Sequence, residues 1–292
     1  MNLKSTVSGL LSLVLVSFLP VTTLGQAVRI PGSMNEIQVH QITTETGLIY
    51  DVYVGLPVGY DEKLKDGYPT LYATDASVGF LLVNQIQTLL QLGGDTPPLI
   101  IVGIDKPAES LAQGYAQRFF ELTPTVNSDF EAETTTEMGV EVKTGGADKL
   151  LAIIKDDLIP WTEQRFNTSE VRALGGFSLG GLFATHALLK SPTLFTHYLI
   201  GSPSLWWDDE IIFRLESEYA EKHDDLSARI FISVGGLEDI GMLPTMIRFA
   251  QTLEDRSYPS LHLTRHVFEN ESHTSVIPAT YSRGLRYLFG ED

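Results

Sequence analysis

The sequence predicts an α/β fold: a mostly parallel, eight-stranded sheet with helices on both faces. Three observations carry this. Short apolar runs bounded by Gly, Pro or polar turns alternate with longer helical patterns along most of the chain. Two strand-like runs joined at Thr46-Gly47 precede the alternation, so the sheet opens with an antiparallel pair. The run after Pro97-Pro98, Leu99-Ile100-Ile101-Val102-Gly103-Ile104, has no polar side, as befits a strand covered on both faces.

Taken in order, strands are expected over 37–42, 49–56, 70–74, 99–104, 171–177, 198–201, 229–234 and 261–268. Helices are expected over 79–92, 148–166 despite Pro160, 208–222, 243–253 and 279–289. Residues 105–143 read as a long polar connection containing Thr134-Thr135-Thr136, a length that points to a functional loop or lid. At the start, Lys4 precedes an apolar run over 7–19 and small residues at Gly25 and Ala27. That is the pattern of an export signal over 1–25, with cleavage between 25 and 27. The run is too short for a membrane span, so no stable membrane insertion is expected after cleavage. Residues 26–292 read as one catalytic domain.

Composition narrows the function. The net charge is −17, from 37 acidic and 20 basic residues, with no basic block. This argues against nucleic acid and anionic membranes as partners, and against anionic substrates unless a local basic pocket exists. Lys106 and Arg118 are the candidates for such a pocket. The chain has no Cys, hence no disulfides and no thiol chemistry. Together with the leader this fits a bacterial periplasmic or secreted protein. The pattern sets no oligomeric state.

The most informative stretch is Gly176-Phe177-Ser178-Leu179-Gly180. An apolar strand pattern precedes this G-x-S-x-G run, and an Ala- and Leu-rich helical pattern follows it. Strand, Gly-flanked turn and helix are the context that holds a serine hydroxyl exposed at a strand tip. A neutral serine needs a base to remove its proton and an acid to orient that base, in the chain order Ser, acid, His. Of seven His, only His273 falls in a loop beyond the last strand. The acid belongs after the preceding strand, where Glu238 and Asp239 lie three residues beyond Gly235 and Gly236, respectively. Glu238 is the first choice and Asp239 the alternative, with Asp208 or Asp209 one strand earlier also open. Two backbone N–H groups must receive the developing oxyanion. Leu179 supplies one, and Ala76 or Ser77, after the 70–74 strand, the other.

These residues resemble the "putative esterase" branch of the α/β-hydrolases, which includes periplasmic enterobactin trilactone esterases, S-formylglutathione hydrolases, feruloyl esterases and mycolyltransferases. Tyr68-Pro69-Thr70-Leu71-Tyr72, Ile100-Ile101-Val102-Gly103-Ile104 and Leu158-Ile159-Pro160-Trp161 resemble family segments. Arg118-Phe119-Phe120-Glu121-Leu122-Thr123-Pro124 is similar to an R-x-x-D-L-T-P segment, with Glu for Asp. Gly175 to Gly181 and Ser202-Pro203-Ser204-Leu205-Trp206-Trp207 favour the trilactone-esterase subgroup, whereas Ser272-His273-Thr274 departs from the commoner His-Gly-Ser form.

The resemblance implies an α/β-hydrolase fold and a serine carboxylesterase acting on a small-molecule ester through an acyl-enzyme, with no metal or organic cofactor. Trp206 and Trp207 are candidates either for a substrate wall or for core packing. Arg118 is a candidate either for an anionic substrate group or for a structural ion pair. Siderophore trilactone hydrolysis and acyl transfer to a carbohydrate or lipid acceptor are the enzymatic alternatives. A hydrolase-fold binding protein is the non-enzymatic one.

Overall fold

The computed structural model describes residues 35–238 and 241–290. The export signal expected over 1–25 and the alternative acid Asp239 lie outside the described residues. Eight strands form one sheet: β1 (Ile37–Thr43), β2 (Ile49–Gly55), β3 (Tyr68–Ala73), β4 (Ile100–Asp105), β5 (Thr168–Phe177), β6 (His197–Gly201), β7 (Ala228–Gly235) and β8 (Leu261–Phe268). Their order is β1-β2-β4-β3-β5-β6-β7-β8. β1 and β2 are antiparallel, as is β2 with β4, and every pairing from β4 across to β8 is parallel.

The chain steps from β3 outward to β4 on one side and then to β5 on the other. This reversal opens a crevice beyond the carboxyl ends of β3 and β5, where open α/β sheets bind ligands. Side chains alternate across the sheet. Leu71, Ile101, Ala173, Leu199 and Phe231 pack on one face against Phe80 and Val83 of helix α1 (Ala76–Gly93) and Leu285 and Leu288 of α9 (Ile277–Phe289). Tyr72, Val102, Leu174, Tyr198 and Ile232 point to the other face. There they meet Leu182 and Phe183 of α6 (Leu179–Lys190), with Met246 and Phe249 of α8 (Met242–Arg256) in the same core. Helix α6 is buried from Leu179 to Leu189, which explains why its sequence has no polar side.

Three expectations change. Residues 105–143 are not a long loop: they hold α2 (Leu111–Leu122) and α3 (Ser128–Met138). Ser110 and Asn127 cap these helices, accepting from Gln113 N and Phe130 N. Helix α3 buries little of itself and has no apolar stripe, so its periodicity is faint in the sequence, whereas α2 carries a stripe at Leu111, Tyr115, Phe119 and Leu122 that the sequence reading passed over. The helix around Pro160 runs as α4 (Ala147–Ile153), a π-turn (Ile154–Leu158) and α5 (Ile159–Glu163). The widened turn lies just ahead of the residue that lacks an N–H. Helix α7 (Trp207–Ala220) carries left-handed backbone at Asp208, Asp209 and Glu210, so its regular part starts later than 208.

Among the described glycines, the closest approach to backbone is at the β5–α6 turn. A Cβ added at Gly176 would lie 2.0 Å from Gly180 O, and one at Gly180 would lie 2.5 Å from Thr74 Oγ1. Both obstacles belong to ordered parts of the fold, so neither side can give. Gly176→Ala is expected to lower stability by about 3 kcal/mol or more, from overpacking against backbone. Urea unfolding measures it, and a midpoint matching the parent would refute the packing argument.

Candidate active site

Ser178 links β5 to α6 with φ 60° and ψ −117°, outside the region that L-residues favour. The turn is held from both sides. Ser178 N donates to Gly201 O at 2.9 Å, and Ser178 O accepts from Leu182 N and from Ser204 N. The strain is tied to position: the hydroxyl is thrust off the strand end while the backbone turns into the helix. Ser178 Oγ lies 3.5 Å from Ser204 Oγ, which is itself buried.

The next strand ends supply the histidine and its carboxylate. His273 sits in the β8–α9 connection, and its Nδ1 is 2.6 Å from Glu238 Oε2, on the β7–α8 connection. The His273 ring packs 4.9 Å from that of Phe177, the residue before Ser178. The Glu238 side chain is 1% exposed, so its charge must be met by donors. Besides His273 there are two: Gly235 N–H at 2.7 Å and Ser202 Oγ at 2.5 Å to Oε1. Burial pushes the Glu238 carboxyl up, and the hydrogen bonds from His273, Ser202 and Gly235 outweigh it. The net position is below the ordinary carboxylate value.

Two helices begin beside the serine turn: α6 follows it directly, and the Thr74–Asp75 loop that leads into α1 packs on Gly180. Leu179 and Ala76 are the first residues of α6 and α1, so neither N–H has a partner within its helix. Ser77, the other candidate donor, is engaged: its N–H meets Asp105 Oδ2 at 2.8 Å. Between β3 and α1, Asp75 adopts a left-handed conformation with φ 57°. Its carboxylate grips Arg118 in a two-pronged ion pair, Nε to Oδ1 at 2.6 Å and Nη2 to Oδ2 at 3.1 Å. Arg118 Nη2 also donates to Phe177 O at 3.2 Å.

Two substrate-binding expectations are corrected. Arg118 is not an open anion site, because its guanidinium ties the Asp75 loop to the serine turn. Trp207 is not a pocket wall. It is 1% exposed, its Nε1 donates to Thr125 Oγ1, and its ring meets Phe130 edge-on. Trp206 is 42% exposed and stays at the surface, packed beside Gly241 with Nε1 toward Met242 Sδ.

Sequence reading missed Ser202, Ser204 and Asp75 as site residues. Ser202 and Ser204 lie in the Ser202-Pro203-Ser204 run after β6, which entered only as a resemblance, and nothing local marks a serine that will meet a carboxylate on the next strand.

A mostly parallel sheet, a strained serine turn at its switch point and a histidine–carboxylate pair at the following strand ends define an α/β-hydrolase. The chain belongs to the family described as "Putative esterase", whose pattern matches residues 43–275. It is a carboxylic ester hydrolase. It is 28% identical over 238 residues to the ferri-bacillibactin esterase BesA of Bacillus subtilis, covering 77% of this chain and 80% of that one. It is 27% identical over 284 residues to the siderophore triacetylfusarinine C esterase of Aspergillus fumigatus, covering 85% and 91%. The BES protein of Bacillus cereus has the same architecture, with a TM-score of 0.78 at 27% identity, over 91% of this chain and all of that one.

Ser202→Ala removes one of three donors to Glu238, so the carboxyl pKa moves up. A depressed carboxylate contributes stability that is present above the ordinary Glu value and lost as pH falls through the depressed one. In the variant that loss begins at higher pH. Carboxyl-carbon NMR titration of Glu238 and acid unfolding read both shifts, and identical titration curves would refute the Ser202 contact.

Proposed function

We propose that this hydrolase works through an acyl-enzyme on Ser178, with His273 as proton carrier, Glu238 as its orienting acid, and an ester-linked siderophore as substrate. The observation that supports the chemistry most is the 2.6 Å contact between His273 Nδ1 and Glu238 Oε2 near the strained Ser178 turn. With Nδ1 engaged, His273 keeps Nε2 for proton transfer. Ser178 Oγ attacks the ester carbonyl carbon as His273 takes its proton. The tetrahedral oxyanion is received by the N–H groups of Leu179 and Ala76. The C–O bond to the alcohol breaks, and His273 returns the proton to the leaving oxygen. Water, deprotonated by the same His273, then attacks the acyl-enzyme and frees the acid and Ser178.

The substrate class rests on the relatives. BesA is named for ferri-bacillibactin, and the Aspergillus fumigatus enzyme for triacetylfusarinine C, both as esterases. Export through residues 1–25 belongs to the same proposal. The mass of the exported protein would show cleavage between 25 and 27, and an exported chain retaining Met1 would remove that part.

Fluorophosphonate is expected to label Ser178. Ser178→Ala is expected to lower kcat on p-nitrophenyl butyrate by about 10^3-fold or more, and Glu238→Gln by roughly 10^2-fold or more. Turnover in Ser178→Ala equal to the parent would end the nucleophile assignment.

A further inference from the structure

The elements next to the Ser178 turn combine exposed aromatic side chains with an excess of acidic over basic groups. A file of ring contacts runs from α2 through α3 to the segment after β6. Tyr115 meets Phe119 at 6.5 Å between centroids, Phe119 meets Phe130 at 5.0 Å, Phe130 meets Trp207 at 5.0 Å, and Trp207 meets Trp206 at 6.2 Å. The file is buried at Trp207 and emerges at its two ends, Tyr115 at 47% and Trp206 at 42% exposure. Both ends are tied to the serine turn. Tyr115 is one helical turn from Arg118, which reaches Phe177 O. Trp206 is two residues from Ser204, which touches Ser178 Oγ. Leu111, one turn before Tyr115, and Leu237, beside Glu238, are exposed as well. Apolar surface left open around a crevice marks a ligand surface.

The charge is one-sided. Leaving aside Asp75, which is paired with Arg118, and Glu238, which is buried against His273, the connections that follow β3 to β8 carry Glu109, Glu269 and Glu271, and Asp105 closes β4 beside them. Among the described residues of those connections Lys106 is the only lysine or arginine. Its Nζ lies 3.9 Å from Glu121 Oε1, as Arg118 lies on Asp75. Both cations that could have formed a basic pocket are therefore paired with carboxylates. Among the described residues of those connections no lysine or arginine lacks a carboxylate partner, so an anionic substrate would approach an excess of like charge.

We infer that the crevice selects esters with bulky apolar or aromatic substituents and no net negative charge, gripped by Tyr115 and Trp206 and screened by the acidic rim. This rests on ester hydrolysis at Ser178 and narrows the siderophore reading. A ferric tris-hydroxamate is neutral and a ferric tris-catecholate is a trianion, so the rim favours the former.

The test compares p-nitrophenyl butyrate with p-nitrophenyl hemisuccinate, acyl groups of similar size that differ by one negative charge. At low salt the neutral ester is expected to have a kcat/KM about tenfold higher or more, and added salt should narrow the gap by raising the anion's value. Trp206→Ala and Tyr115→Ala should each cost roughly fivefold more on p-nitrophenyl phenylacetate than on p-nitrophenyl acetate, through KM and not kcat. Fluorophosphonate labelling with equal or better turnover of hemisuccinate overturns the charge inference and leaves the hydrolase reading standing. Equal losses on both acyl groups overturn the aromatic grip. Neither labelling nor turnover of any ester would remove the hydrolase reading and this inference with it.

Discussion

The site depends on one close approach of backbone to backbone. Gly176 lies against the Gly180 carbonyl so tightly that a single methyl group has no room, and Gly180 in turn admits the Thr74–Asp75 loop. This contact lets β5 turn into α6 within one residue and leaves Ser178 in its strained conformation. It also sets the Thr74–Asp75 loop, which leads into α1, against the start of α6. The strain is sustained because α6 is buried along nearly its whole length and cannot relax away from the sheet.

Around this turn, charged groups act chiefly as struts. Arg118 joins the Asp75 loop to the carbonyl before Ser178, and Glu238 is gripped by a side chain on β6's connection, an amide on β7 and the histidine after β8. Three neighbouring strand ends are thereby locked to one carboxylate. A buried carboxylate satisfied by three donors is worth more as a positioning device than as a source of net stability, since its desolvation offsets much of what the donors return. Lys106 and Arg118 likewise lie on carboxylates, Glu121 and Asp75.

The order of the elements, the eight strands and the Ser178 turn were legible because each rests on local chemistry. Leu99 to Ile104 is apolar throughout since both faces of its strand are covered, and Gly176 and Gly180 are glycine since no other residue fits. His273 was legible through topology, as the histidine beyond the last strand. Helix α3 was not, because it buries so little that no apolar stripe marks it, and α2, whose stripe at Leu111, Tyr115, Phe119 and Leu122 is present, was read as part of the same polar connection. Trp206 and Trp207 are adjacent and chemically identical, yet one is exposed and the other is core. No property of the pair distinguishes them. The difference lies in Thr125 and Phe130, some eighty residues earlier, which receive Trp207.

The sequence by itself determined the fold class, the strained turn and the chain order of serine, carboxylate and histidine, all features set by neighbours within a few residues or by the order of elements. Only the tertiary structure decided that Ser202 holds Glu238, that Ser77 is engaged and Ala76 is free of an intrahelical partner, and that Arg118 and Lys106 are paired with acids. Those outcomes depend on distances between side chains tens of residues apart. Hydrogen bonds and ion pairs fall off over an ångström or two, a scale that only the packed sheet and its helices set.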